Sequence, residues 1–345
     1  MRLIVRFFIP CLCFLSFQIV YAQDYFFSQF YNTPLMTNAA NTGRIKEDFR
    51  IGLINRRQWL LNNALSFNTL GFSGDVNFRK KILGADMVGL GVVVVSDQQS
   101  DVFGRQVAIL STGWHRHLDD QKRHYLSLGL QVGYSQISAN AGGLQFLSAY
   151  DRVSNDFSGP SEDVSGLTPS RQVLLHSGFF YDFSVNKKLE VFAGFNAFNL
   201  VQPDYSVLGA ERLPMRTHMQ AGFTYYLSNQ VFVTPQMFWA RQSASNNMLL
   251  GANLGYIPGL DRRLLTLYAG FWYRMADAAI VYGGLKYKNI QLGLSYDFTV
   301  SSLNQVRVVP ETKAGIVGAF EISLLFHGFL GRAVPSEQTI PCQIF

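Results

Sequence analysis

From about Asp48 to about Gly328, apolar and polar residues alternate in short runs broken by Gly, Asn, Asp, Ser and Pro. A period of two puts successive side chains on opposite faces of a strand, so the pattern predicts one β-strand after another. Tyr125 to Gln136 is the clearest case: Leu126, Leu128, Leu130, Val132 and Tyr134 share one face, while Ser127, Gly129, Gln131, Gly133 and Ser135 share the other. Ile290, Leu292, Leu294, Tyr296 and Phe298 likewise oppose Gln291, Gly293, Ser295 and Asp297. Phe320, Ile322, Leu324 and Phe326 oppose Glu321, Ser323 and His327. Roughly fourteen segments of this kind are predicted, starting near residues 49, 65, 87, 104, 125, 171, 189, 217, 230, 247, 264, 278, 290 and 318. Their length suits the ~9 to 11 residues of a tilted membrane strand.

A water-soluble sandwich would also alternate, but its outer face would carry about 25 to 35% charged residues. Here charged residues make up only 15% of the chain, and the polar faces are built from Gly, Ser, Asn and Gln. Aromatic residues reach 14% and gather toward the ends of the apolar faces, at Tyr134, Trp239, Tyr256, Tyr273, Tyr296 and Phe298, as in the girdles of membrane barrels. Beyond the leader no run approaches the ~18 apolar residues of a membrane helix, Met87 to Val95 being the richest. A sheet in hydrocarbon must close, because an open edge leaves peptide groups unpaired. The fold class expected is therefore all-β: a transmembrane antiparallel β-barrel of about 14 strands, preceded by a cleaved signal peptide.

Arg2 and Arg6, an apolar stretch through Val20 and the small residues Val20 and Ala22 mark residues 1–22 as that leader, with the mature chain starting at Gln23. The organisation expected is a periplasmic amino-terminal segment at 23–47, an outer-membrane barrel at 48–328 and a periplasmic tail at 329–345. The long connections, about Ile137 to Ser170, Leu200 to Arg216 and Thr299 to Val317, follow the fifth, seventh and thirteenth segments and so share one side. Outer-membrane barrels place long loops outside, and an even strand count then predicts both termini in the periplasm.

Losing the two leader arginines lowers the net charge from +6 to +4, and the remaining basic residues form no stripe, which argues against nucleic acid as a partner. Cys11 and Cys13 leave with the leader, so Cys342 alone remains and no internal disulfide is possible. Projected on the strands, Arg56, Arg274, Asp297 and Glu321 face the lumen near its outer end, and closure brings Arg56 toward Glu321 and Asp297. Lipid-facing arginines near the midplane would cost roughly 2 to 4 kcal/mol, which favours the inward placement. Two roles are open to this quartet: bracing the wall, or contact with a solute or cargo.

His115, His117 and His124 sit at a strand end and tight turn, where polar residues suit the headgroup boundary better than a metal site. His176, His218 and His327 read as lumen or interface residues, and Asp182 and Asp204 as loop or turn acids without evident partners. Pro160, Ser161, Glu162 and Asp163 lie in the longest loop, a solvated segment open to partner binding. No Gly-x-Ser-x-Gly, His-Glu-x-x-His or phosphate-loop pattern occurs, so neither an enzyme nor a cofactor is expected.

The mature start, Gln23-Asp24-Tyr25-Phe26-Phe27-Ser28-Gln29-Phe30-Tyr31-Asn32-Thr33-Pro34-Leu35 followed by Asn38-Ala39-Ala40-Asn41-Thr42-Gly43, resembles the opening of the PorP/SprF family of outer-membrane proteins. Asn55-Arg56-Arg57-Gln58-Trp59, Arg274-Met275-Ala276-Asp277 and Ser295-Tyr296-Asp297 are similar to its strand and turn motifs. Gly318-Ala319-Phe320-Glu321-Ile322 has Phe320 in place of the family's histidine. Ile340-Pro341-Cys342-Gln343-Ile344-Phe345 departs from the family's end at Gln343 and Ile344.

The resemblance implies a component of the type IX secretion and gliding machinery of Bacteroidetes-type bacteria. Such a component assists export or surface attachment of cargo such as adhesins, with secreted cargo, translocon subunits and outer-membrane lipid as partners. The aromatic residues Tyr25, Phe26, Phe27, Phe30 and Tyr31 are more than a flexible leader needs, and mark the amino-terminal segment as a candidate partner-binding element. It would plug or cap the lumen, or pack under it. The rival reading is a passive solute porin, since fourteen strands enclose a lumen wide enough to conduct.

Overall fold

Where one face of a strand meets lipid and the other a polar interior, alternation decides the fold almost alone. The computed structural model describes residues 25–58, 67–79, 84–99, 103–139, 169–204, 212–259, 265–301 and 318–330. The expected leader, loop residues 160–163 and the tail beyond 330 with Cys342 lie outside the described residues. Fourteen strands follow in order: β1 (Phe49–Gln58), β2 (Phe67–Phe78), β3 (Met87–Gln99), β4 (Phe103–His117), β5 (His124–Ala139), β6 (Ser170–Asn186), β7 (Leu189–Phe198), β8 (Arg216–Tyr226), β9 (Val231–Gln242), β10 (Ser245–Tyr256), β11 (Leu265–Arg274), β12 (Ala278–Tyr287), β13 (Ile290–Thr299) and β14 (Gly318–Gly328). Each begins within two residues of its expected start.

Every strand pairs antiparallel with its sequence neighbours, and β1 pairs with β14, so the sheet is a closed barrel with no free edge. The outer face is apolar: Leu110, Val173 and Phe271 are more than 60% exposed, and Leu128, Leu130, Val132, Ile322 and Leu324 also point outward. Tyr134, Tyr256, Tyr273 and Phe298 lie exposed on the same surface. The inner face carries buried Ser127, Gln131, Ser135, Gln291, Ser295 and Ser323. This is the reverse of a soluble sandwich, and it suits a wall bathed in lipid.

The connections spanning 140–169, 199–215 and 300–317 all leave from one end, whereas tight turns join β6 to β7, β8 to β9 and β12 to β13 at the other. Residues 25–45 lie inside the wall, which departs from the expected segment on the periplasmic side. A short α-helix, α1 (Pro34–Thr37), and two 3-10 turns at Phe30–Asn32 and Ala39–Asn41 fold this stretch compactly. Tyr25 sits at the mouth from which the long connections leave, where Arg216 at the start of β8 donates to its carbonyl at 3.2 Å. Asp48 sits at the opposite mouth, where its main-chain N–H donates to the Gly328 carbonyl at 2.8 Å. The described residues therefore run from Tyr25 at one mouth to Leu330 at the other. An even strand count fixes only the ends of the wall, and the segment ahead of β1 crosses the lumen once more.

Candidate functional site in the barrel lumen

Charged side chains are expensive to bury unless they meet partners, so the buried charges of the lumen show where the segment is held. At the long-connection end Arg56 of β1 lies opposite Glu321 of β14 in the closing pair of strands. Arg56 forms an ion pair with Glu321 and another with Asp297 of β13, the latter at 3.0 Å. Arg274 of β11 reaches Asp297 at 2.8 Å and Asp277 at 2.9 Å. The structure thus brings together all four residues of the expected quartet, each at most 7% exposed.

At the centre of the quartet stands the amino-terminal segment. The Ser28 and Gln29 main-chain N–H groups donate to the two carboxylate oxygens of Glu321, at 2.7 and 2.9 Å. The Ser28 hydroxyl donates to Asp297 at 2.6 Å and accepts from Arg56 at 2.8 Å and from Arg274. The Gln29 carboxamide donates to Ser295 at 3.0 Å and to the Glu321 carbonyl at 3.1 Å, and its oxygen accepts from Ser323 at 2.7 Å. Ser28 and Gln29 escaped the reading of the sequence, where they look like plain polar residues in an aromatic run.

The aromatic candidates pack just below and beside these contacts. Phe30 stacks on Phe238 at 4.6 Å between ring centres and meets Trp272 edge-on at 5.1 Å. Tyr31 stacks on Trp272 at 5.4 Å and meets Tyr282 edge-on. Phe27 joins Leu35 and Met36 in a second apolar cluster with Ile54, Val93, Val95, Val107, Ile109 and Leu174 from the opposite wall. Tyr25 and Phe26 are only partly buried, and lie beneath the guanidinium groups of Arg216 and Arg274 respectively. One signal was available: β9, β11 and β12 carry apolar Phe232, Phe238, Tyr268, Trp272, Ile280 and Tyr282 on their lumen faces, which a water-filled lumen would not favour.

Toward the tight-turn end the segment lies flat on the wall. Gly89, Gly113, Gly129 and Gly178 fall opposite one another across β3, β4, β5 and β6. A Cβ at Gly89 or Gly113 would stand 2.1 Å from the Thr42 carbonyl oxygen, and one at Gly129 would stand 2.1 Å from the Ala39 carbonyl carbon. Gly129 of β5 therefore serves the close approach of two backbones, a more specific role than lining a barrel face with small residues. Gly43 adopts a left-handed φ of 74° and presses against Gly89, a position where any side chain would be strained.

Polar anchors complete this end. Asn38 donates to the carbonyls of Phe179 and Phe195 at 3.0 and 3.2 Å, and Asn196 accepts from the Ala39 N–H at 2.9 Å. Asp75 accepts from the Gly43 N–H at 2.7 Å and from Arg50 at 2.8 and 3.0 Å. Arg44 of the segment pairs with Asp182 through both its Nε and Nη2, and its guanidinium covers the Phe180 ring at 4.0 Å. Asp182 was expected in a loop without a partner. It lies in β6 instead, and its partner stands 138 positions away, out of reach of any local pattern. Asp204 does lie in a connection, where its backbone makes an isolated antiparallel β-bridge with that of Arg212.

Glu47 closes the tight-turn mouth beside His327 and Lys286, at 3.5 and 3.9 Å. Burial pushes its carboxyl up, but the nearby His327 ring and the Lys286 charge outweigh that and hold it at about 2.

His115 lies wholly buried with Nε2 2.8 Å from the Thr42 carbonyl and Nδ1 2.8 Å from the Ser127 hydroxyl. A carbonyl only accepts, so Nε2 carries the proton and Nδ1 faces the hydroxyl. This His–Ser pair has the spacing of a nucleophile and base, but the segment covers it. His117 reaches Asp86 at 3.1 Å and His124 meets Tyr181 at 2.6 Å, so the three histidines turn to separate partners. His176, His218 and His327 are all buried on lumen faces.

The family profile for the type IX secretion system membrane protein PorP/SprF matches residues 19–326. The chain belongs to the PorP/SprF family. The match takes in the segment as well as the wall. Among curated proteins nothing matches the chain. The CymD monoaromatic hydrocarbon channel shares the fold, with a TM-score of 0.50 at 11% identity over 87% of this chain and 94% of that one. The toluene transporters TbuX of Ralstonia pickettii and TodX of P. putida both give 0.46, at 11% and 10% identity. They cover 87% and 88% of this chain, and 94% and 95% of their own. At this level of identity the likeness is one of fold. The chain is a membrane β-barrel of a secretion-system family.

Proposed function

We propose that this PorP/SprF-family barrel resides in the outer membrane and assists export or surface attachment of secreted cargo, adhesins among them. It does so by binding cargo or other subunits of the type IX machinery, with its wall as scaffold. The work is recognition and not turnover. The observation that carries this reading is the amino-terminal segment, which occupies the lumen and is bonded to inward-facing residues all around the wall. A porin needs that space for solute. The neighbours named as hydrocarbon channels and toluene transporters keep the channel reading as the alternative to be tested.

Reconstituted into planar bilayers, the full-length chain is expected to give no steady conductance, and a variant lacking residues 23–43 is expected to conduct. Steady conductance from the full-length chain would establish the porin instead. Crosslinking in intact cells, followed by identification of the attached proteins, tests the partners: secreted cargo or machinery subunits are expected, and their consistent absence counts against the scaffold.

A further inference from the structure

We propose that Arg56, Arg274, Ser295, Asp297, Glu321 and Ser323 form a binding site for an extended polypeptide bearing a Ser-Gln pair. Ser28 and Gln29 fill this site in cis, and a partner's segment enters in their place. The inference rests on the binding reading above and gives it a location and a chemistry.

Every charge in the site comes from the wall. Arg56 pairs with Glu321 and Asp297, and Arg274 with Asp297 and Asp277, so departure of the segment strands no ion. What the segment supplies is neutral: two adjacent main-chain N–H groups, one hydroxyl and one carboxamide. Any polypeptide with the same two residues offers the same groups, and exchange would replace like with like. The wall is also shaped for the carboxamide, since a Cβ at Gly293 would stand 2.7 Å from the Gln29 side-chain oxygen. The site lies near the mouth from which the long connections leave, with Phe26 beneath the Arg274 guanidinium. The remainder of the segment is held differently. Arg44 is itself half of a buried ion pair, and the Thr42 carbonyl rests on Gly89 and Gly113, so residues 38–45 stay seated while the amino-terminal end exchanges.

A tethered segment has an effective concentration in the ~mM range, so a free peptide competes well only once the chain's own copy is displaced. Ser28→Arg places a third guanidinium beside Arg56 and Arg274 and should expel that copy. The probe is a fluorescein-labelled peptide with the sequence of residues 24–30, followed by anisotropy with full-length protein in detergent. The Ser28→Arg protein is expected to bind it at least tenfold more tightly than the unaltered protein does. A peptide with both Ser and Gln replaced by Ala should lose that binding. No binding by a Ser28→Arg protein that migrates as a folded barrel, or equal binding of the Ala peptide, would overturn the proposal.

Should Ser28→Arg fail to fold, hydrogen–deuterium exchange of the unaltered chain decides. The Ser28 and Gln29 amides are expected to exchange at least tenfold faster than those of Ala39 and Gly43, and equal protection refutes a replaceable end. Failure to bind peptide in a protein that gives no conductance removes this site and leaves the scaffold reading standing. Binding by a protein that conducts does the opposite.

Discussion

The two ends of the lumen segment are held by different physics. Near the long connections, Ser28 and Gln29 bring neutral groups to a charge cluster that belongs wholly to the wall. Near the tight turns, the segment contributes Arg44 to a buried ion pair and lays its backbone on a row of glycines. Neutral hydrogen bonds exchange against equivalent ones, whereas a lone buried charge has nothing to exchange with. The first arrangement suits a contact that is made and released, and the second a permanent fixture.

Substitutions at the two ends should therefore differ in cost. The largest effect is expected from Arg44→Ala, which leaves the Asp182 carboxylate buried without its cation and should destabilise the barrel by roughly 3 to 5 kcal/mol. Urea unfolding in detergent measures it, and the double variant Arg44→Met with Asp182→Leu should recover most of the loss. Gly113→Val comes next: its side chain meets the Thr42 carbonyl and His115, for an overpacking cost of about 1 to 3 kcal/mol. Loss of the fast-migrating unheated band on gels reports it. At the other end Ser28→Ala removes one hydroxyl from charged partners and should cost about 1.5 kcal/mol with the barrel intact. If Ser28→Ala proved costlier than Arg44→Ala, the contrast between the two ends would be reversed.

The contribution of Glu47 at the tight-turn mouth is read by pH. Its folded-state value lies below the ordinary 4.5, at about 2. Its contribution is therefore fully present above pH 4.5 and lost as the pH falls toward 2, where the folded carboxyl also takes its proton. Unfolding followed across that window should lose part of its slope in Glu47→Gln.

Strands and faces were legible because each wall residue answers to one of two solvents, and the answer alternates. Leu128 and Gln131 needed no knowledge of anything but lipid and lumen. The charge quartet was legible too, since alternation placed Arg56, Arg274, Asp297 and Glu321 inward, and closure had to join β1 to β14. The aromatic segment stood out by composition, but its position did not. Nothing local ties Ser28 to Asp297 or Arg44 to Asp182, because those contacts depend on how strands distant in sequence converge inside a closed wall. The glycine row was equally hidden. Gly89, Gly113, Gly129 and Gly178 look like ordinary small residues until strand register sets them side by side.

By itself the order of residues determined a fourteen-stranded wall, its greasy outside and its polar inside, because a two-residue period and the demand for paired peptide groups admit few other solutions. Only the tertiary structure decided that the lumen is occupied, by which residues, and in which direction that segment crosses it. Those outcomes turn on side chains meeting across the barrel's width, where no periodicity along the chain reaches.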